Sequence, residues 1–407
     1  MALDYRRVRN DDEYRAYALA AQYAFNDDRS EEATQRRLGW YDRDWCLGAF
    51  DGPQLIAGLI AIPFDMRING GQTPLGGIAS VASVPERRRT GAIGGLLRHA
   101  LAEMRDAGQP LSGLYTPHYS LYRRFGWEQA SRIMSYGFPP KTAKPRLPQP
   151  AGSYRRVTVD DWRELAPLYD EHWRERNGAL VRPERWWQTQ VMRTWRGEPH
   201  DAVIWSNAAG EPRGYAIYRS AQQRTGGPMP ETVLRVHDWV ALDAEAYAAI
   251  LYYLLSHDLS SRIIVPASQD EPFAAAFEEP THFVEPLSAW FGMMLRVVDL
   301  QRAVEMRPAL PQASGKGVTI AIADDSAPWN EGTWRIEAGE GRMSAERTNT
   351  APEIEMHARA FAPIFNGYMK PAEAVRVGQA RANSAEAIAA ATDMFSTSYA
   401  PFTPDDF

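Results

Sequence analysis

A proline, a run of arginines and a glycine separate a strand-like segment from an amphipathic helix, and this order is typical of an anion site. The strand-like segment ends at Pro85, Arg88 and Arg89 follow, and Gly91 precedes the helix. Glycine lets a backbone approach a phosphate, and the first amides of a helix are free donors at the positive end of its dipole. Arginine adds charge-assisted hydrogen bonds. A Walker loop is excluded because no Gly-Lys-Ser/Thr follows, and a basic turn that only caps a surface helix is the alternative.

The elements around this loop predict a domain of mixed sheet and helices. Apolar residues from Ile93 to Met104 recur on one face of a helix, Pro85 ends the strand before it, and Ser30 can cap an earlier helix. The predicted order is βααβββαβ, followed by a short helix near Tyr119 and a strand pair near Met134. The predicted segments, in order, are a strand at 5–8, helices at 11–25 and 31–40, strands at 45–50, 55–68 and 75–84, a helix from 92 and a strand at 111–115.

A proline-rich stretch over 138–152 has the composition of a linker between domains. The segment after it repeats the succession of strands and helix, which suggests a divergent duplication. A third segment begins near Trp290 and ends with one helix over 372–391 and an irregular tail. Strands are predicted in the second segment at 154–157, 201–205, 215–219 and 233–242, and helices from 160 and over 244–258. The predicted domains are 1–150, 151–289 and 290–407.

Net charge and cysteine content exclude several kinds of partner and site. A formal net charge of −6 argues against nucleic acid as the main partner, since phosphate binding needs a basic face. The single cysteine, Cys46, cannot form a disulfide within the chain or a thiolate zinc site, and we expect no metal. No run of about 18 apolar residues occurs, so we expect no membrane span. The charged N-terminus has no apolar signal region, and a cytoplasmic location is the expectation.

Strand, proline, Arg-x-x-Gly and amphipathic helix, placed after βααββ, resemble the pyrophosphate loop of the GNAT superfamily of acetyltransferases. That loop usually has Gly or Ala where this chain has Ile93. Eis-type members tolerate an apolar residue at this position, so the chain resembles that subfamily. The resemblance implies acetyl-CoA as cosubstrate, with its pantetheine arm on a splayed strand and its pyrophosphate in the loop. The implied pantetheine residues are Val81, Ala82 and Ser83, and the implied pyrophosphate residues are Arg88, Arg89, Thr90, Gly91, Ala92, Ile93 and Gly94.

Two residues are implied to move protons. Tyr122, followed by Phe125, Gly126 and Trp127, resembles the family's Tyr-x-x-Phe-Gly-aromatic signature. A tyrosine, whose ordinary pKa is about 10, stays a donor at neutral pH and would protonate the departing CoA thiolate. Packing against the pantetheine arm is the alternative, and Tyr115 and Tyr119 are rival donors.

The terminal carboxylate is the implied base. Eis-type enzymes use the carboxylate of their last residue, which is Phe407 here, to take the proton of the amine, either directly or through water. An α-carboxyl is a poor base in water, but burial beside aromatic rings disfavours its charged form. A frayed, functionless tail is the alternative.

The rest of the chain is similar to the same family. The resemblance implies an α/β (α+β) architecture of tandem GNAT folds and then a sterol carrier protein-like α+β domain, whose opening strand would lie in 290–299. The second GNAT unit lacks Arg-x-x-Gly, and Asp243 and Glu245 would repel phosphate, so CoA should not bind there. The implied partners are amines, such as aminoglycoside-like polyamines or lysine side chains, and further copies of the chain in a hexamer. The implied substrate-binding residues are Phe25, Asp27, Trp40, Ser80 and Asp406.

Two other functions stay open. One is transfer of a longer acyl group, since N-myristoyltransferases share both the tandem architecture and the terminal base. The other is a non-catalytic protein that binds a lipid or a partner through its C-terminal domain. The intact loop over 81–94 and Tyr122 argue against the loss of catalysis.

Overall fold

The first 131 residues adopt the βααβββαβ order that their periodicity predicts. The computed structural model describes residues 3–194, 196–224, 230–280 and 285–407. The side chains of Asn10 and Ser30 cap the first two helices by accepting hydrogen bonds from first-turn amides, and the cap at Ser30 was predicted. The strands are β1 (Asp4–Arg7), β2 (Cys46–Asp51), β3 (Gln54–Ile68), β4 (Gly71–Ser83), β5 (Leu111–Leu114) and β6 (Glu128–Gln129), and the helices are α1 (Asp11–Phe25), α2 (Glu31–Trp40), α3 (Ala92–Asp106) and α4 (Tyr119–Arg123).

The middle of the chain forms a second sheet. Two strands lie near Met134, but the predicted pair is wrong, because β6 pairs with the strand Met294–Val297 in the first sheet and the strand Arg132–Phe138 pairs with later strands of this sheet. The strands of this part of the chain are β7 (Arg132–Phe138), β8 (Gly152–Val157), β9 (Leu180–Val181), β10 (Asp201–Asn207), β11 (Pro212–Gln223), β12 (Glu231–Ala241), β13 (Arg262–Ala267) and β14 (Glu285–Phe291), and the helices are α5 (Trp162–His172), α6 (Glu184–Trp186) and α7 (Ala244–Leu255). All of these strands except β9 belong to the second sheet. The strand order is β14-β7-β13-β12-β11-β10-β8, in which only β12 and β13 are parallel neighbours.

The C-terminal part adds a third sheet. The single helix predicted over 372–391 is wrong, because Gly378 adopts φ +74° and a short strand that pairs with its neighbour follows. The strands are β15 (Met294–Val297), β16 (Gly317–Ala323), β17 (Gly332–Ala338), β18 (Met343–Arg347), β19 (Ile354–His357) and β20 (Ala380–Ala382), and the helices are α8 (Leu300–Met306), α9 (Ala358–Phe365), α10 (Pro371–Arg376) and α11 (Ala385–Met394). The strand order is β18-β17-β16-β19-β20.

β15 does not open the C-terminal sheet, so the strand expected at 290–299 was wrongly assigned. It lies between β5 and β6 in the first sheet, whose order is β1-β2-β3-β4-β5-β15-β6. Arg296 pairs with Ser112, and Leu295 pairs with Gly113 on one side and Glu128 on the other. Without this strand, the backbone N–H and C=O groups on these edges of β5 and β6 would lack their hydrogen-bond partners.

Packing divides the chain into two units. The first comprises the residues up to Ser131, Met293–Ser398 and Asp406–Phe407, and the second comprises Arg132–Gly292 and Tyr399–Asp405. The predicted domain bounds at 150 and 289 stay predictions, because this division follows packing rather than sequence families. None of the described helices is both long and apolar enough to cross a membrane. Within the same described ranges, no group of three or more His, Cys, Asp or Glu is arranged to hold a metal ion.

α3 anchors the first sheet through its apolar face. The residues that this face buries recur at the predicted spacing and include Leu96, Leu97, Leu101 and Met104. Burial of each leucine contributes about 1.5–3 kcal/mol, so the helix and the loop before it are fixed on the sheet by their own sequence pattern.

Candidate active site

β4 and β5 separate at their carboxyl ends. They pair in parallel only from Leu75 opposite Leu111 to Ile78 opposite Leu114. β4 then continues to Ser83 with β3 as its partner, and none of the described strands pairs with it on the β5 side. The backbone at 79–83 therefore has no strand partner on the β5 side, which a strand that binds an amide-containing ligand at its edge requires.

A bulge lies at the start of this splayed segment. Ser80 adopts φ +53°, and the pairing register of β3 and β4 shifts between Gly58 and Ile60. Such a bulge re-aims side chains and is frequent beside active sites. The Tyr17 hydroxyl donates to the Ser80 carbonyl at 2.8 Å, and burial raises the pKa of Tyr17 well above its ordinary value. Tyr17 thus stays protonated and holds the bulge.

The loop before α3 has the features of an anion site. Gly91 is the N-cap residue with φ +86°, no side chain caps the helix, and a Cβ on Gly91 would have open space around it. The first helical bond runs from the Gly95 amide to the Gly91 carbonyl at 3.0 Å, which leaves the amides of 92–94 unused by the helix. Arg88 and Arg89 are exposed, whereas Arg87 pairs with Asp51.

The two glycines in the first turn of α3 serve packing. A Cβ on Gly94 would lie 2.9 Å from the Phe125 ring, and one on Gly95 would collide with the Tyr5 ring. Sequence reasoning placed Gly94 in the phosphate loop but gave no packing reason for either residue. The amide of Gly94 still faces the open helix terminus, so both roles are compatible.

Tyr122 lies near the point where β4 and β5 part. It shares a hydrophobic cluster with Ile78 and Leu114, the last paired residues, and its ring contacts Trp127 edge-on at 6.4 Å. Burial raises its pKa to about 12, and its side chain is 7% exposed. No described residue forms a hydrogen bond with its hydroxyl, which is therefore available as a donor to a ligand.

The two rival tyrosines have different surroundings. Tyr119 is partly buried in the same short helix, with the Arg123 guanidinium 5.4 Å from its ring, and burial raises its pKa to about 12. Tyr115 contacts the ring of Phe407 edge-on, with 5.4 Å between the ring centres. Tyr115 is thus a neighbour of the chain terminus.

The last residue of the chain lies over the sheet where β4 and β5 are still paired. The ring of Phe407 is 5.1 Å from that of Phe64, and a Cβ on Gly77 would lie 2.9 Å from its Cε2. Gly77 is one residue before Ile78, which is the last residue of β4 that pairs with β5. A Cβ on the neighbouring Gly76 would instead meet Met104 of α3, so Phe407 lies on the face of the sheet opposite α3.

Three of the five predicted substrate residues meet at an arginine that sequence reasoning missed. Arg37 forms an ion pair with Asp27 at 3.0 Å, donates to the Ser80 hydroxyl, and lies 5.9 Å from the centre of the Phe25 ring. Half of the Phe25 side chain is exposed. The only sequence signal for Arg37 is its position one helical turn before Trp40 on the same face of α2.

The other two predicted substrate residues meet at Tyr41. Trp40 stacks on Tyr41 with 6.0 Å between ring centres. The pKa of Tyr41 rises to about 12, mainly by burial, with Arg37 opposing and Asp406 adding to the rise. Asp406 is therefore close enough to Tyr41 to interact with it electrostatically, and Tyr41 links it to the Arg37 cluster.

In the second unit, the carboxylate of Asp405 fixes the segment Tyr399–Asp405, and sequence reasoning also missed this residue. Arg182 donates to Asp405 at 2.9 Å and to Asp238 at 2.6 Å, and all three side chains are at most 3% exposed. Trp186 donates its indole N–H to Asp405 at 2.8 Å, and the Tyr169 hydroxyl lies 3.2 Å from it. The sequence separation of more than 200 residues explains why no local signal marks Asp405.

We expect Asp405→Ala to lower the free energy of unfolding by about 3 kcal/mol, because it removes one of two carboxylates from a buried guanidinium. Urea denaturation measures the change. Glu198→Ala is the matched control, since Glu198 pairs with Arg219 where both side chains are about half exposed. It should change the same quantity by no more than about 0.5 kcal/mol. Equal losses in both variants would contradict a special role for the buried pair.

Comparison with known sequences divides the chain into three family matches. The acetyltransferase (GNAT) domain family matches residues 4–130, and a second acetyltransferase (GNAT) family matches residues 178–297. The sterol carrier protein domain family matches residues 300–404. The second range includes β15, in agreement with its place outside the C-terminal sheet.

Relatives that match most of the chain are named as N-acetyltransferases. An uncharacterized N-acetyltransferase of Streptomyces avermitilis is 26% identical over 92% of this chain and 93% of its own length. The N-acetyltransferase Eis of Mycobacterium tuberculosis is 25% identical over 79% of this chain and 78% of its own. The crystal structure of a GCN5-related N-acetyltransferase from Anabaena variabilis superposes with a TM-score of 0.89 over the full length of both chains at 21% identity, which shows the shared fold.

Proposed function

Because this chain belongs to the Eis-type GNAT N-acetyltransferases, we propose that it transfers the acetyl group of acetyl-CoA directly to a cationic amine, with Tyr122 as general acid and the Phe407 carboxylate as base. The observation that carries this proposal is the position of Phe407 over Gly77, beside the opening between β4 and β5. A frayed tail would not pack its last ring between Phe64 and Tyr115.

The proposed acetyl-CoA site follows β4 into α3. The backbone of Val81, Ala82 and Ser83, which has no strand partner on the β5 side, binds the amides of the pantetheine arm, as an added strand would. The pyrophosphate meets the first-turn amides after Gly91, where the helix dipole favours negative charge. Arg88 and Arg89 are exposed beside it and supply opposite charge. The thioester is thereby directed toward the end of the paired strands, near Tyr122.

The proposed reaction is a direct acyl transfer. The amine nitrogen attacks the thioester carbonyl carbon, so that a C–N bond forms and the C–S bond breaks. The amine proton passes to the Phe407 carboxylate, directly or through a water molecule. The Tyr122 hydroxyl gives its proton to the departing CoA sulfur and later regains one from solvent.

Charge in the proposed amine pocket favours a cationic substrate. Asp27, Asp406 and the terminal carboxylate contribute three negative charges, and Arg37 contributes one positive charge. The resulting negative field attracts ammonium groups. Aminoglycoside-like polyamines or lysine side chains are the proposed substrates, and an incoming ammonium competes with Arg37 for Asp27.

The other parts of the chain have supporting roles in this proposal. Asp243 caps α7 of the second GNAT unit, where it accepts the Ala246 amide at 2.8 Å, so a carboxylate occupies the position that a phosphate would need. We therefore assign acetyl-CoA to the first unit alone. A cytoplasmic location and assembly into a hexamer of identical chains complete the proposal, on family resemblance.

The function is tested with untagged protein, acetyl-CoA and a panel of aminoglycosides and lysine peptides, by measuring the free thiol of CoA. We expect turnover with at least one amine, and myristoyl-CoA to be a poorer donor than acetyl-CoA. Gly91→Asp should abolish acetyl-CoA binding in a calorimetric titration, because it places a carboxylate at the phosphate site. Gly70→Asp is the matched control, since Gly70 has a similar φ of +81° and open space around it. Unchanged acetyl-CoA affinity in Gly91→Asp would place the site elsewhere.

A further inference from the structure

A fully buried ion pair packs against the turn over 123–127, which follows Tyr122 at the end of α4. Arg296 of β15 is 0% exposed, and its Nη2 donates to both oxygens of Asp324 at 2.6 and 2.5 Å. Neither its Nε nor its Nη1 has a hydrogen-bond partner among the described residues. Burial of two charges costs solvation energy that their mutual attraction only partly offsets. A contribution to stability therefore does not by itself account for this ion pair.

The guanidinium lies directly against Gly126. A Cβ on Gly126 would be 2.6 Å from Nη1 and 2.7 Å from Cζ of Arg296, and Gly126 adopts φ +90°. Only glycine satisfies both the contact and the backbone angle. The face of the guanidinium group therefore supports the backbone of this turn.

The turn is organised around the carbonyl of Tyr122. The Phe125 amide donates to that carbonyl at 2.9 Å and the Trp127 amide at 3.3 Å. A shift of Gly126 thus changes the direction in which the Tyr122 side chain leaves the backbone. α4 has only five residues and cannot hold that direction by itself.

The sterol carrier protein-like domain also contacts the segment that follows this turn, over 129–130. Asn366 donates its side-chain amide to the Ala130 carbonyl at 2.9 Å, and Gln129 donates to the Tyr368 hydroxyl at 2.7 Å. Asp324 itself is held by the Ala327 amide at 3.0 Å. The segment after α4 is therefore fixed to this domain by hydrogen bonds at Gln129 and Ala130.

We infer that Arg296 and Asp324 are positioning residues for Tyr122, through which the sterol carrier protein-like domain fixes the direction of the general acid. This inference rests on the proposed role of Tyr122. Burial is the cause of the raised Tyr122 pKa, and neither member of the ion pair contributes to it. The proposed action of the pair is therefore on the position of the tyrosine.

The test is a double-mutant cycle between the ion pair and Tyr122. Arg296→Met with Asp324→Asn removes both charges together, and we expect kcat to fall about 10- to 100-fold, as for other small misplacements of a reacting group. The KM for acetyl-CoA should stay within about twofold, because the loop at Gly91 is untouched. In a Tyr122→Phe background the same two changes should lower kcat by no more than about twofold. An equal loss in both backgrounds overturns the inference and leaves the proposed acid in place.

A second variant keeps both charges. Gly126→Ala places a methyl group against the guanidinium, and it should lower kcat in the wild type and have little further effect beside Tyr122→Phe. Gly70→Ala is the matched control for a side chain at positive φ, and its kcat should equal that of the wild type. A Gly126→Ala loss that persists in the Tyr122→Phe background overturns the inference. A fully active Tyr122→Phe enzyme overturns both the inference and the proposed acid.

Discussion

We expect Tyr122→Phe to lower kcat by about 10²- to 10⁴-fold, which is the usual contribution of a general acid, and to leave the affinity for acetyl-CoA close to that of the wild type. The change removes one hydroxyl and keeps the ring against Trp127. The thiolate of CoA must then leave without a proton donor. Steady-state kinetics with free-thiol detection and a calorimetric titration of acetyl-CoA measure the two quantities.

The control for Tyr122 is available in the same helix. Tyr119 lies three residues earlier, and burial raises its pKa to about 12 as well. Tyr119→Phe should change kcat by less than about tenfold, since it removes the same group from a residue that we do not place at the thioester. Full activity of Tyr122→Phe, or the larger loss in Tyr119→Phe, would remove Tyr122 from the mechanism.

Extension of the chain by one alanine after Phe407 is expected to lower kcat by about 10²-fold or more, because the free carboxylate is the proposed base. One added residue moves a carboxylate by about 3.3–3.6 Å, which exceeds the tolerance of a proton transfer. The ring of Phe407 can still pack between Phe64 and Tyr115, so the fold should not change. Thermal unfolding and acetyl-CoA titration of the extended protein verify that point.

Two controls separate the carboxylate from the ring. The same alanine added at the N-terminus should leave kcat unchanged. Phe407→Leu keeps the carboxylate and loses the aromatic contacts, so its kcat should lie between those of the wild type and the extended chain. An extended chain with wild-type kcat would mean that another group accepts the amine proton.

The sequence predicts the parts of the fold that depend on neighbouring residues. α2 follows from its capping residue, α1 and α3 follow from the spacing of their residues, and the loop at Gly91 follows from residue types within ten positions. One helix was predicted over 372–391 because its many alanines favour a helix. The prediction is wrong because Gly378 and the pairing of β20 with β19 interrupt the helix. Tertiary pairing overrides propensity there.

Site residues whose contacts are with residues far away in the sequence could not be predicted from the sequence. Arg37 meets Ser80 across 43 positions, Arg182 meets Asp405 across 223, and Arg296 meets Asp324 in the core. Nothing in their immediate neighbours distinguishes them from the many surface arginines of this chain. Tyr122 and Phe407 were named only because a motif and a family resemblance marked them, and their chemical roles remain to be measured.

The place of β15 between β5 and β6 has a consequence for how the protein is made. The gap between β5 and β6 in the first sheet cannot be filled until residue 297 has left the ribosome, although β1 to β6 are themselves complete by residue 129. Pairing across such a sequence separation is slow to form, and until then the exposed edge of β5 can pair with other chains. A fragment that stops at residue 131 should therefore aggregate, and the nascent chain depends on late synthesis, or on a chaperone, to protect that edge.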